Sequence, residues 1–128
     1  MYATLLLPPD ATSATVARRF AERQLAEWDL SALVERARLL VSELVINAVT
    51  HARTESRLML RSDGHALRVE VSDHSTVLPR VGDHLPEAPS GRGLRIVAEL
   101  ADEWGVEQRP RGKTVWFELL PAPSAVGS

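Results

Sequence analysis

Glu43 and Asn47 stand four residues apart in a segment that is otherwise almost wholly apolar, with Leu44-Val45-Ile46 between them. At helical pitch this spacing stacks them on one face. A carboxylate beside an amide oxygen suits a hard cation and a hydroxyl. The amide ligates Mg²⁺ without adding charge, and the carboxylate acts as a base or holds a water. The plainer alternative puts both at a solvent edge; against it, each is flanked by residues that want burial, where an unpartnered carboxylate is costly.

Asp73 closes an alternating run and opens a long loop. An Asp at a strand end is a common turn former. It is also an acceptor of hydrogen bonds only, able to take the exocyclic amine of adenine and to reject guanine, which presents a carbonyl there. Gly91-Arg92-Gly93 stands where a helix is expected to begin. Free amides at a helix start attract phosphate and glycines allow close approach, although such a pair of glycines also serves as a simple turn. The segment fits neither G-x-G-x-x-G nor the P-loop pattern.

Two other clusters read as structural. The histidines at 51, 65, 74 and 84 match no zinc spacing, with His65 in a turn and His51 on a buried helix. Arg109-Pro110-Arg111-Gly112-Lys113 reads as the solvated tip of a hairpin.

These residues need elements to position them. Tyr2–Leu7 reads as a strand stopped by Pro8-Pro9. Ser13 is expected to cap a helix reaching about Trp28, with Val16, Ala17, Phe20, Ala21, Leu25 and Trp28 at helical spacing. Ser31 is expected to cap a second helix to about Ala52, apolar over most of its circumference and therefore buried. Arg57–Ser62 and Ala66–Asp73 form a hairpin about Asp63-Gly64. The span 74–90, with Pro79, Pro86 and Pro89, reads as a loop of unusual length. A third helix follows from Gly91, then a hairpin of 105–108 and 113–120 with Val115, Phe117 and Leu119 alternating. The simplest packing is an α/β fold, a two-layer sandwich whose mixed, mainly antiparallel sheet is covered on one face by helices.

With 128 residues, 45% apolar and 25% charged, the chain is the size of one domain with a proper core. Residues 1–120 form the domain and 121–128 a flexible tail. A net charge of −2 supplies no pull toward nucleic acid or anionic membrane. Without cysteine there is no disulfide, thiolate catalysis or Cys-based zinc site. No signal sequence and no run of about 20 apolar residues is evident. A soluble, cytoplasmic protein is expected.

In this order the motifs resemble one family. Ser42-Glu43-Leu44-Val45-Ile46-Asn47-Ala48-Val49-Thr50-His51-Ala52 looks like the N-box of the GHKL ATPases, the group of gyrase, heat-shock chaperone, histidine kinase and mismatch-repair ATPases. Val69–Asp73 resembles the strand leading to their adenine-binding Asp, 91–97 their second glycine box, and 112–117 their closing strand. The resemblance covers residues 2 to about 120 and implies the Bergerat ATP-binding fold. One departure stands out. The family's Asp-x-Gly-x-Gly is replaced after Asp73 by Ser75 and Val77, which cannot adopt glycine-only conformations.

Within the family the chain is most similar to stand-alone anti-sigma-factor serine/threonine kinases, which bind a sigma factor or an anti-anti-sigma STAS-domain protein and phosphorylate the latter. The resemblance implies ATP and Mg²⁺ as cofactors. Asn47 would hold Mg²⁺, Glu43 would be the catalytic base, Asp73 would read adenine and Thr114 would support it. Gly91, Arg92, Gly93 and Leu94 would lie along the phosphates beneath a lid of 74–90. The rival reading is a non-catalytic module that sequesters a partner with weak ATP binding or none. The apolar far side of the long helix and the first helix, with Phe20 and Trp28, offer surface for a homodimer or partner.

Overall fold

The structure is a computed structural model and describes residues 1–75 and 89–121, with the backbone alone for 89–94. Of the expected lid of 74–90, residues 76–88, which include Val77 and His84, lie outside the described residues, as does the tail from 122 onward. In chain order the elements are β1 (Tyr2–Leu7), α1 (Ser13–Glu27), a 3₁₀ turn (Ser31–Leu33) and α2 (Val34–Asn47). A π-turn (Ala48–Ala52), β2 (Ser56–Ser62), β3 (Leu67–Asp73), α3 (Pro89–Leu100), β4 (Glu103–Arg109) and β5 (Gly112–Leu119) follow.

The five strands form one sheet in the order β1-β2-β3-β5-β4, antiparallel at every pairing. Alternation sorts their side chains. Leu58, Leu60, Leu67, Val69, Val71, Val115, Phe117 and Leu119 are buried on one face. Register aligns them across strands, Leu58 with Val71 and Val71 with Val115. Ala17, Ala21 and Leu25 of α1, with Ala37, Leu40, Val41, Leu44 and Val45 of α2, complete the same core. This is the two-layer α/β sandwich expected, with α2 lying between α1 and α3. Burial of each Leu, Val or Phe contributes about 1.5–3 kcal/mol, so the core fixes which face of each strand points toward the helices.

Several local expectations are corrected. Ser13 is not a cap but the first helical residue; it is buried and its hydroxyl donates to the Pro8 carbonyl oxygen at 2.6 Å, while Thr12 precedes the helix. No side-chain cap is made at Ser31, which starts the 3₁₀ turn. The β2–β3 turn spans four residues, because Asp63 Oδ1 accepts from the N–H groups of both His65 and Ala66 and only Gly64 takes positive φ. The long helix is not buried all round: Leu39 is exposed, and so is His51 in the π-turn. α3 begins at Pro89, before the glycines; proline suits a first helical position, which needs no N–H partner.

Candidate functional site

Three segments converge on one end of the sheet. β2 begins there, since Arg57 pairs with Ser72, and β3 ends there at Asp73, paired with Lys113 near the start of β5. α2 ends at Asn47 and reaches β2 through the π-turn, and the Thr54 hydroxyl accepts from the His74 N–H at 3.2 Å, joining that connection to the end of β3. α3 packs on α2 and leads into Glu103, which pairs with Glu118 at the far end of β5. Gly91, Arg92, Gly93 and Leu94 all fall within the N-terminal half of α3.

Asn47 is the last α-helical residue before the bonding widens to i→i+5, as in the Arg53 N–H to Ala48 carbonyl bond of 3.2 Å. Arg53 then takes a left-handed conformation and stops the turn. Such π segments recur at functional sites. Both polar atoms of the Asn47 amide are buried and neither has a hydrogen-bond partner among the described residues. A buried group left without its bond costs about 1–3 kcal/mol, and native proteins tolerate few of them. A ligand that uses this amide fits the residues present. Glu43, one helical turn earlier, is half-buried.

Asp73 is engaged otherwise than its sequence suggests. Lys113 Nζ donates to both of its carboxylate oxygens at 3.0 Å, and the two side chains are 3% and 6% exposed. The Ser75 N–H also donates to Oδ1 at 2.9 Å. Removing one partner of a buried ion pair costs about 3–5 kcal/mol, whereas one hydrogen bond to a charged group contributes about 1.5–3 kcal/mol. A single amine arriving at Asp73 therefore meets a carboxylate already paired with a cation.

Lys113 is thus the residue that sequence reasoning missed, having been assigned to a solvated tip. The signal was available: Val115, Phe117 and Leu119 point inward, so alternation puts 113 inward too and 114 outward. The structure does not bring the Thr114 hydroxyl to Asp73. It lies on the opposite face, 2.8 Å from the Ser72 hydroxyl and accepting from Arg109 Nε at 3.1 Å. Gly112 makes the close approach possible, because a Cβ there would sit 2.1 Å from the Asp73 carbonyl oxygen.

A cleft of about 720 Å³ runs along the face of the sheet turned away from the helices, from Asp73, Gly112 and Lys113 past Arg57 to Arg61. Neither Glu43 nor Asn47 lines it. No group of three or more His, Asp or Glu side chains suited to a metal is present among the described residues. No described helix is long and apolar enough to cross a membrane.

Residues 7–119 match the histidine kinase-like ATPase domain family. No curated protein matches the chain. Among solved structures it is similar to the RsbU and RsbW domains of Rv1364c from Mycobacterium tuberculosis, with 20% identity and a TM-score of 0.68. That likeness covers 97% of this chain and 34% of the other, so the chain spans about a third of its length; at this identity it shows a common fold.

Proposed function

This chain belongs to the histidine kinase-like ATPase domain family, and from that premise we propose that it is an ATP- and Mg²⁺-binding regulatory protein of the anti-sigma-factor serine/threonine kinase type. Its protein substrate in this reading is an anti-anti-sigma partner with a STAS domain. The observation that carries the proposal is the Asn47 amide, buried at the end of α2 with neither polar atom partnered among the described residues. An amide oxygen is a hard, uncharged donor suited to Mg²⁺ beside phosphates. ATP, when bound, supplies a phosphoryl group open to attack by a hydroxyl. Glu43 holds that hydroxyl and accepts its proton at a carboxylate oxygen. The start of α3 offers the phosphates the amide hydrogens of Ser90 and Gly91, with Arg92, Gly93 and Leu94 following within the helix.

A second reading has its own support. Lys113 engages the Asp73 carboxylate, and Ser75 and Val77 stand where the family carries glycines. A module that binds its partner without phosphorylating it, with ATP held weakly, fits those features. In both readings Thr114 bonds Ser72 and Arg109 instead of supporting Asp73 directly.

Calorimetric titration of ATP with and without Mg²⁺ tests the proposal. Magnesium-dependent binding that Asn47→Ala weakens is expected, and unchanged affinity in that variant sinks the assignment. Incubation with labelled ATP and candidate STAS-domain proteins separates the readings. Transfer to a Ser or Thr that Glu43→Gln abolishes supports the kinase; tight ATP binding without transfer supports the binder.

A further inference from the structure

We propose that the cleft on the helix-free face of the sheet docks an extended acidic segment of a protein partner. The charges on that face show which groups are already taken. Glu70, Glu107 and Glu118 all pair with Arg68, whose guanidinium also lies 4.2 Å from the centre of the Trp116 ring. Asp73 is taken by Lys113. Arg57, Arg61 and Arg111 line the cleft, are exposed, and make no ion pair among the described residues. Against these three cations the lining sets Glu55, its one carboxylate without an ion pair among the described residues. The cleft therefore carries a surplus of positive charge that nothing in its lining balances.

Spacing says what shape of anion fits. Arg57 and Arg61 stand four residues apart on β2, so they share the outward face at about 13 Å along the strand. Met59, midway between them, is buried and floors the cleft. Register sets Leu6 opposite Arg57, Tyr2 opposite Arg61 and Thr4 opposite Met59. Leu6 and Tyr2 are 55% and 64% exposed, so apolar surface stands beside each cation. An extended peptide has the repeat of a strand and turns alternate side chains toward the surface beneath it. Carboxylates at its first and fifth positions meet Arg57 and Arg61, and an apolar side chain at the third settles over Met59. Arginine forks take carboxylates in a bidentate geometry, which fixes the register of the segment. A uniform polyanion such as nucleic acid or an anionic membrane fits less well, because Glu103 and Glu107 are exposed on the same face. The helix α2, with Asn47, packs on the other side of the sheet, so docking here requires no nucleotide.

NMR titration of the nitrogen-labelled full chain, at low salt and without nucleotide, tests this. The ligands are the capped peptide Glu-Thr-Leu-Thr-Glu and its rearrangement Glu-Glu-Leu-Thr-Thr, which has the same charge. The first is expected to give saturable shifts in the amides of 2–6 and 56–62, and the second to bind about threefold or more weakly. Arg57→Gln with Arg61→Gln should weaken the first peptide by about threefold or more and leave the melting temperature unchanged, since both side chains are exposed and unpaired among the described residues. Arg19→Gln with Arg23→Gln removes the same charge from the exposed side of α1 and should change neither. Shifts that are absent, do not saturate or centre elsewhere overturn the proposal. Equal binding of the two peptides, or an equal loss in the α1 variant, also overturns it, since charge alone would then be at work. So does a parent that sediments as a dimer which the Arg57/Arg61 variant dissociates, because a second copy would then cover this face.

Discussion

The carbonyl oxygen of Asp73 stands 2.1 Å from where a side chain at Gly112 would begin, so the backbones at the end of β3 and the start of β5 meet with no room for a Cβ. Gly112 also has φ of +156°, a conformation that L side chains rarely adopt. Gly112→Ala is therefore expected to destabilise the fold by more than the roughly 1–3 kcal/mol of backbone strain alone. Gly64→Ala isolates the strain term, because φ there is +96° but the nearest atom, in Met1, is 4.0 Å away. Urea denaturation of the two variants should rank Gly112→Ala the more destabilised.

The Asp73–Lys113 pair predicts a non-additive mutational pattern. Lys113→Met and Asp73→Leu should each cost about 3–5 kcal/mol, since each leaves the other charge buried without its partner. The double variant removes both charges and should be more stable than either single one. A double-mutant cycle in denaturant checks this; additive losses would deny that the two charges compensate one another.

Asn47 sets stability against binding. Asn47→Leu keeps a side chain of similar size and removes two buried polar atoms that have no partners among the described residues. The variant should gain about 1 kcal/mol of stability without nucleotide and lose the Mg-ATP-dependent rise in melting temperature. Scanning calorimetry with and without Mg-ATP measures both effects.

Acid should loosen the β2–β3 turn through Asp63. Its carboxyl is held below the ordinary value of 3.8 chiefly by the Ala66 N–H and then by the His65 N–H. A carboxyl depressed in the folded state stabilises above its unfolded value and loses that contribution as pH falls through the folded one. The parent's melting temperature should therefore fall more steeply below pH 3.8 than that of Asp63→Asn, which can keep the turn but does not titrate. Equal slopes would remove Asp63 from the acid limb.

Much of the fold was legible because its signals are local and periodic. The alternation of Leu67, Val69 and Val71, and of Val115, Phe117 and Leu119, gave both the strands and their buried faces. The helical spacing of Leu40, Val41, Leu44 and Val45 gave α2. Capping was less legible. Ser13 carries a capping side chain, yet it bonds backward to Pro8, and which oxygen meets which amide depends on how the chain turns before the helix.

At the site the same division holds. Sequence by itself determined that Glu43 and Asn47 share a helix face, that Asp73 ends a strand, and that glycines lie near a helix start, because spacing alone settles such things. Only the tertiary structure decided that the Asn47 amide is buried without a partner among the described residues, that Thr114 points away, and that Lys113 closes on Asp73. The last two rest on the pairing of β3 with β5, which brings Asp73 and Lys113 together from 40 residues apart in the chain. The hydrophobic face fixes that register, and no local pattern encodes which two charges it will bring together.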